Sequence, residues 1–467
     1  MVERAAVDLP PSSGRDKGKA SRNKRNRPEL GSSSAAVEAA AAAAMPWTGN
    51  QPNPYALLLG GSPVAAVPLA AVPPAPVEYP ADERERDILL VRLLQSTADA
   101  IACGMFHLIN RGLGWVADLA SPDGRSLQRL ASAFAEAFAL AFVLPCDGVC
   151  RVLQLPQAAP PGGVAAARQR FRAMCPFVRL AGAAANLSVV EAMENEGRVV
   201  HVVDLGGADT NQWVELVRLF AARSGGPPRM LRLTVVNEAE DFLSATAMYL
   251  NAEAQRLDVT FQFHPVQSSI DALTGVGPLG VIAGQALAVV ATLQIHRLLA
   301  YEITTPFYPI DGNGKRPAAA EQSTQHTITT RADALLRTIR GLSPKLMILT
   351  EQEADLNVAE LQPRVWSALN YYAALFDAVE ESAPLVSPLD RACVERWLLG
   401  EEIRDIVTCK GTARWERHEK LERWAARMVA AGFAPADQLN QGKSIPVSLS
   451  CIASHMEIHS DGCQNFE

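Results

Sequence analysis

Val199-Val200-His201-Val202-Val203-Asp204-Leu205-Gly206-Gly207-Ala208-Asp209 is an apolar, β-branched run that stops on an acid and a glycine pair. Such a run reads as a buried parallel strand that delivers a loop. Gln212, Trp213, Leu216, Val217 and Phe220 then recur at helical spacing. Strand, glycine turn and amphipathic helix in that order open a Rossmann-like βαβ unit, whose ligands sit at the carboxyl ends of the strands. Asp204, Gly206, Gly207 and Asp209 would stand at that end. Asp-Leu-Gly-Gly-Ala-Asp is neither the Gly-x-Gly-x-x-Gly of dinucleotide enzymes nor a phosphate-cradling P-loop, so a structural turn and a cofactor loop both remain open.

The alternation continues downstream. Residues 231–236 read as a second strand, Phe242, Leu243, Leu250, Ala254 and Leu257 mark a helix, and 260–266 read as a third strand. Residues 286–290 make a fourth, feeding a helix over 293–299, and a Pro/Gly/Thr-rich interruption covers 301–325. Another strand over 345–349 and an aromatic-rich helix over 368–376 follow. This pattern predicts an α/β fold with a mainly parallel, helix-covered sheet. Upstream, Ile88, Val91, Leu94, Ala98, Ile101, Ala102 and Met105 repeat at three and four, predicting one helix from near Glu83. Leu127, Leu130, Phe134, Phe138 and Ala141 predict a second after the turn Ser121-Pro122-Asp123-Gly124. Both precede the first strand, so they form an N-terminal helical cap. Leu90, Leu93 and Leu94 also fit Leu-x-x-Leu-Leu, a spacing that serves core packing or insertion into a partner's groove.

Residues 1–82 differ in kind: a basic cluster, then serine, alanine and proline-rich stretches that can bury little and read as a disordered arm. Arg22, Lys24, Arg25 and Arg27 lie in the basic cluster, which reads as a nuclear-import tag or a solubilising tail. The first thirty residues hold eight Lys/Arg against four Asp/Glu, leaving 35 basic against 46 acidic groups in the rest. An acidic body gains little by neutralising DNA phosphates. The prolines at 63, 68, 73, 74 and 76 break the apolar stretches of the arm, so none of those can span a membrane as a helix. Eight scattered cysteines without a Cys-x-x-Cys pair suit free thiols in a reducing compartment. Cys451, His455, His459 and Cys463 are zinc-competent types, but on one helix the outer pair would lie about 18 Å apart, too far for one ion. His-Glu-x-x-His, Gly-x-Ser-x-Gly and Walker motifs are absent. His201 reads as a packed histidine, and spacing places neither His296 nor His418 beside a nucleophile.

Several blocks, in order, resemble the plant GRAS family, most nearly its Scarecrow-like branch. Leu119-Ala120-Ser121-Pro122-Asp123-Gly124 with the leucines upstream resembles the first leucine-rich region (83–145), and Val200-His201-Val202-Val203-Asp204 with Gln212-Trp213 the VHIID region (165–235). Leu293-Gln294-Ile295-His296-Arg297-Leu298-Leu299 resembles the second leucine-rich region (280–300). Thr350-Glu351-Gln352-Glu353 and Tyr371-Tyr372-Ala373-Ala374-Leu375-Phe376-Asp377 resemble the PFYRE region (335–405), and Arg414-Trp415-Glu416-Arg417-His418-Glu419-Lys420 the basic motif after it. Gln285 and Val290 stand where the family commonly has Glu and Asn. The GRAS-like body is expected over 83–436, with 437–467 a divergent tail where the family has its tryptophan-bearing SAW region.

The resemblance implies a nuclear transcriptional regulator, not an enzyme, with no cofactor and no metal. It would act by protein–protein contact in gibberellin response and root development. Implied partners are DELLA-type GRAS proteins and zinc-finger DNA-binding factors, with homo- or heterodimerisation through the leucine-rich helices, mostly indirect DNA contact and no membrane. Leu90, Leu93, Leu94, Leu298 and Leu299 would support packing or docking. Asp204, Gly206, Gly207 and Trp213 would hold the central loop, and Val200, His201, Val202, Val203, Asp204, Gln212 and Trp213 join those leucines as the motif residues expected at partner-binding surfaces. The alternative is a fold-related S-adenosylmethionine-dependent methyltransferase, in which Asp204, Gly206, Gly207 and Glu238 would cradle the cofactor. Direct sequence-specific DNA binding is the third reading.

Overall fold

The computed structural model describes residues 79–145, 163–207, 209–307, 325–382 and 387–434. The chain divides into two units at Glu78/Tyr79. The sheet and its helices all lie in the second unit. The basic cluster with Arg22, Lys24, Arg25 and Arg27, the arm before Tyr79 and the 437–467 tail with Cys451, His455, His459 and Cys463 lie outside the described residues.

Five parallel strands form the sheet: β1 (Val199–Asp204), β2 (Met230–Asn237), β3 (Phe261–Gln267), β4 (Ala286–Thr292) and β7 (Leu346–Thr350). Their order is β3-β2-β1-β4-β7. Val202 pairs with Leu233 on one side and Ala288 on the other, so β1 lies at the centre and the strand order reverses beside it. That reversal is the topological switch point where ligands of open α/β sheets collect. The period of two along β1 sorts its side chains between two cores. Val200 and Val202 pack with Trp213, Leu216 and Phe220 of α6 (Thr210–Ala221) and with Leu243 and Leu250 of α7 (Glu240–Arg256). Val203 packs on the opposite face with Ile295, Leu298 and Leu299, with Ile339 of α8 (Arg331–Gly341), and with Trp424 of α12 (Leu421–Ala430).

A third core lies inside the helical cap. It joins α1 (Glu83–Ala102), α3 (Ser126–Val143) and α4 (Gly163–Met174) to α9 (Leu361–Glu381) and to the continuous pair α10 (Pro388–Val394) and α11 (Gly400–Thr408). The expected N-terminal cap is therefore closed by helices that follow the last strand of the sheet. A π-helical turn, Glu395–Leu399, joins α10 to α11 and carries Glu395 inward to Arg129 of α3. The α3 helix is long and apolar enough to cross a membrane by composition alone. Its Leu130, Phe134 and Phe138 are instead fully buried in this core.

Four local expectations need correction. A helix α2 (Phe106–Leu119) stands between the two that the spacing predicts. Gly112 and Gly114 weaken its propensity, yet Gly112 is where α2 meets α1, because a Cβ there would overlap the Thr97 hydroxyl. On α1 the buried face is Leu90, Leu93, Leu94, Thr97 and Ala98, while Ile88 and Met105 are exposed and Val91 is half-buried. The helix expected over 293–299 is a 3-10 helix, Ile295–Ala300, entered through Leu293 at φ 53°. The ends of the 301–325 interruption pair as an antiparallel ribbon, β5 (Glu302–Phe307) with β6 (Gln325–Thr330). A fifth helix, α5 (Pro176–Ala192), completes the cover beside α6.

Candidate functional site

The loop after β1 is closed by its own atoms. Asp204 is 1% exposed, and its two carboxylate oxygens accept from the Gly206 N–H at 2.8 Å and the Trp213 indole N–H at 2.9 Å. Burial pushes its carboxyl up to about 6, against those two hydrogen bonds. Gly206 and Gly207 have φ of 104° and 90°, a region open to glycine. A Cβ on Gly207 would overlap the Thr292 carbonyl at the end of β4, and Arg172 of α4 donates to the Gly207 carbonyl. The second acid, Asp209, caps α6 by accepting from the Gln212 N–H at 2.9 Å. Gln212 and Asn186 exchange further hydrogen bonds that tie α6 to α5. Glu238 stands exposed beyond β2. Of the four residues of the cofactor alternative, then, Asp204, Gly206 and Gly207 serve the loop and Glu238 stays outside it.

The other singled-out residues are mostly interior. Val200, Val202, Val203 and Trp213 are buried, as are Leu298 and Leu299. His201 is fully buried with Nε2 2.8 Å from the Thr234 hydroxyl, and burial lowers its pKa to about 4, which leaves it a neutral packed ring. Leu90, Leu93 and Leu94 point into the cap core, so packing already occupies them. Among the described residues Cys103, Cys175, Cys393 and Cys409 are free thiols.

A cavity of about 890 Å³ opens between the cap and the carboxyl ends of β1, β4 and β7. Gly207, Thr292 and Thr350 line its sheet side, and Arg168, Trp366 and Tyr371 its cap side. At its wall stands a buried polar cluster that no single segment contains. His296 Nδ1 is 2.7 Å from Glu351 Oε2, and His296 Nε2 is 3.2 Å from Glu416 Oε2. The His418 ring lies 4.2 Å from that of His296, and its Nε2 is 3.0 Å from the same Glu416 oxygen. Burial opposes charge on His296, but the Glu351 and Glu416 carboxylates outweigh it and hold its pKa up to about 10. Burial, with Glu416 nearby, raises Glu402 to about 8, and Glu402 accepts from the Tyr372 hydroxyl at 2.9 Å. The sequence placed Glu351 and Glu416 in family-like blocks but not in a site, because they meet His296 only in three dimensions. One signal was available: Glu351 directly follows the β7 run, and His296 follows β4, at the strand ends where sites assemble.

A model of the GRAS domain family matches residues 90–445. This chain belongs to the GRAS family. The GRAS protein is 36% identical over 385 residues to Scarecrow-like protein 3 of Arabidopsis thaliana, covering 75% of this chain and 79% of that one. It is 33% identical to Scarecrow-like transcription factor PAT1 of Arabidopsis thaliana, over 56% of this chain and 49% of that one. It is also 27% identical to Chitin-inducible gibberellin-responsive protein 1 of Oryza sativa subsp. japonica, over 78% and 61%. The crystal structure of SCL7 from Oryza sativa matches with a TM-score of 0.58 at 26% identity, over 74% of this chain and 85% of that one. The parallel sheet with its helical cap is thus the GRAS architecture, and the His296–Glu416–His418 cluster joins the 3-10 helix that follows β4 to the segment between α11 and α12.

Proposed function

We propose that this GRAS protein is a nuclear transcriptional regulator that works by binding other regulators, in gibberellin signalling and root development. DELLA-type GRAS proteins and zinc-finger DNA-binding factors are the partners in this reading, and promoters are reached mostly through them. The observation that carries it is the closure of the glycine loop: Asp204 accepts from Gly206 and Trp213, the Gly206 carbonyl accepts from the Thr292 N–H of β4, and Gly207 lies tight against the Thr292 carbonyl with its own carbonyl taken by Arg172. Kinship with proteins named as transcription factors and gibberellin-responsive proteins, together with the acidic balance of the body, supports a scaffold over a catalyst or a base-reading factor.

The experiment is a pair of readouts on the full chain. A fluorescent fusion in plant cells should accumulate in the nucleus and lose that bias when Arg22, Lys24, Arg25 and Arg27 become alanine. A DELLA-type partner should be retained by the chain and released by Asp204→Ala, which unmakes the central loop. Retention unchanged by Asp204→Ala in a folded protein would mean that the central loop plays no part in partner binding. The methyltransferase alternative is decided by calorimetric titration with S-adenosylmethionine and its demethylated product. Micromolar binding that Asp204→Ala abolishes would replace the scaffold reading with that one.

A further inference from the structure

The cluster beside the cavity holds a donor set that an ion pair does not require. One ligand atom from each of His296, Glu416 and His418 lies within 4.8 Å of the others. Glu416 Oε2 is 3.2 Å from one imidazole Nε2 and 3.0 Å from the other. Ligand atoms around a four-coordinate zinc, at 2.0–2.2 Å from the metal, stand about 3.3 Å apart. His418 is fully buried, and neither of its ring nitrogens has an aligned hydrogen bond, despite the close approach of Nε2 to Glu416. A buried imidazole left in that state is costly, and a metal lone-pair bond would satisfy it.

The surroundings hold the three donors in place. Glu351 takes His296 Nδ1 with one oxygen and accepts from the Ile295 and His296 N–H groups with the other, at 2.7 and 3.1 Å. A carboxylate on the far nitrogen of a ligating histidine sets its tautomer and turns its free nitrogen to the metal. The Glu416 N–H donates to Asp405 at 2.8 Å, and the His418 carbonyl accepts from the Leu356 and Asn357 N–H groups at 2.9 and 3.1 Å.

We propose that His296, Glu416 and His418 bind one divalent transition-metal ion, zinc by the chemistry of the donors, with Glu351 as the positioning residue and the open coordination position turned to the cavity. Two imidazoles and a carboxylate are a donor set of zinc sites that keep one position open. His296 and Glu416 both line the cavity, so that position faces it. The ion adds positive charge where two buried carboxylates converge. It also pins the returning segment that carries Glu416 and His418 to the end of β4, so the cavity's shape becomes metal-dependent. The inference is independent of the partner-binding reading.

The test uses the full chain made without a polyhistidine tag, stripped with a chelator and titrated with Co²⁺. One equivalent should bind, with the strong visible absorption of a four- or five-coordinate ion, no thiolate charge-transfer band, and displacement by Zn²⁺. His418→Gln should weaken binding about 100-fold or more, and Glu351→Gln about 10- to 100-fold at unchanged stoichiometry. The wild-type spectrum decides even where a variant fails to fold. Cys451→Ser with Cys463→Ser separates the tail, because the buried site keeps its spectrum without those thiols. Absence of stoichiometric Co²⁺ at micromolar concentration, or absorption lost in the cysteine variant, overturns the proposal and leaves a proton shared between His296 and its two carboxylates.

Discussion

Asp204 shows how one buried carboxylate can be both a structural keystone and a source of pH dependence. Its folded pKa of about 6 lies above the ordinary 3.8 because burial disfavours the charge more than its two donors favour it. The native state therefore holds this proton more tightly than the unfolded chain does. Its contribution to stability falls as pH rises from about 4 to about 6 and is flat above that, by about 3 kcal/mol at most. Urea midpoints across this window, compared between wild type and Asp204→Asn, should differ in slope there and run parallel above pH 7. Gly207 supplies a steric counterpart. Gly207→Ala must displace the Thr292 backbone and should cost more than about 3 kcal/mol. Gly226 also has positive φ, 74°, but has open space around it, so Gly226→Ala should cost only about 1–2 kcal/mol. Equal losses for the two would mean that backbone hand alone, and not the β4 contact, sets the glycine requirement.

On α1, Leu-x-x-Leu-Leu gives the same periodicity whether its leucines meet a core or a partner. Only their exposure separates the two, and Leu90, Leu93 and Leu94 are 1%, 8% and 0% exposed. Leu93→Ala should therefore lower the stability of the chain alone by about 2–5 kcal/mol. Phe106→Ala, at a side chain 64% exposed on α2, should cost less than about 1 kcal/mol. Thermal unfolding without any partner checks both, and an unchanged midpoint for Leu93→Ala would return those leucines to a docking role. Strands were easier to read than helices here, because β1, β2 and β4 are buried on both faces and announce themselves as continuous apolar runs. The α2 helix was hidden by glycines whose reason, close approach to Thr97, exists only once α1 is packed beside it.

Across the whole molecule, Arg129 is the clearest tie between distant parts of the chain. It is 3% exposed, meets Glu395 through its Nε at 3.0 Å from each carboxylate oxygen, and reaches Glu380 at 3.2 Å. Removing one partner of such a pair leaves a buried charge uncompensated, so Arg129→Met should cost about 3–5 kcal/mol. Adding Glu395→Gln should recover part of that loss, and a double-mutant cycle in urea measures the coupling. If the two losses simply add, the π-helical turn is held by packing and not by this pair. At the far edge of the sheet, β7 pairs with β4 and, among the described residues, with no other strand.

The parallel sheet, the helical cover, the leucine-rich cap and the family were determined by sequence alone, because buried strands and amphipathic helices follow from local apolar spacing and the GRAS blocks stand in linear order. Tertiary structure alone decided that helices from 83–174 and from 361–408 build one cap. It decided that Asp204 is spent on Gly206 and Trp213, and that His296, Glu351, Glu416 and His418 share one buried cluster. Their distances depend on how the cap sits on the carboxyl ends of the strands, and a contact across more than a hundred residues leaves no periodicity to read.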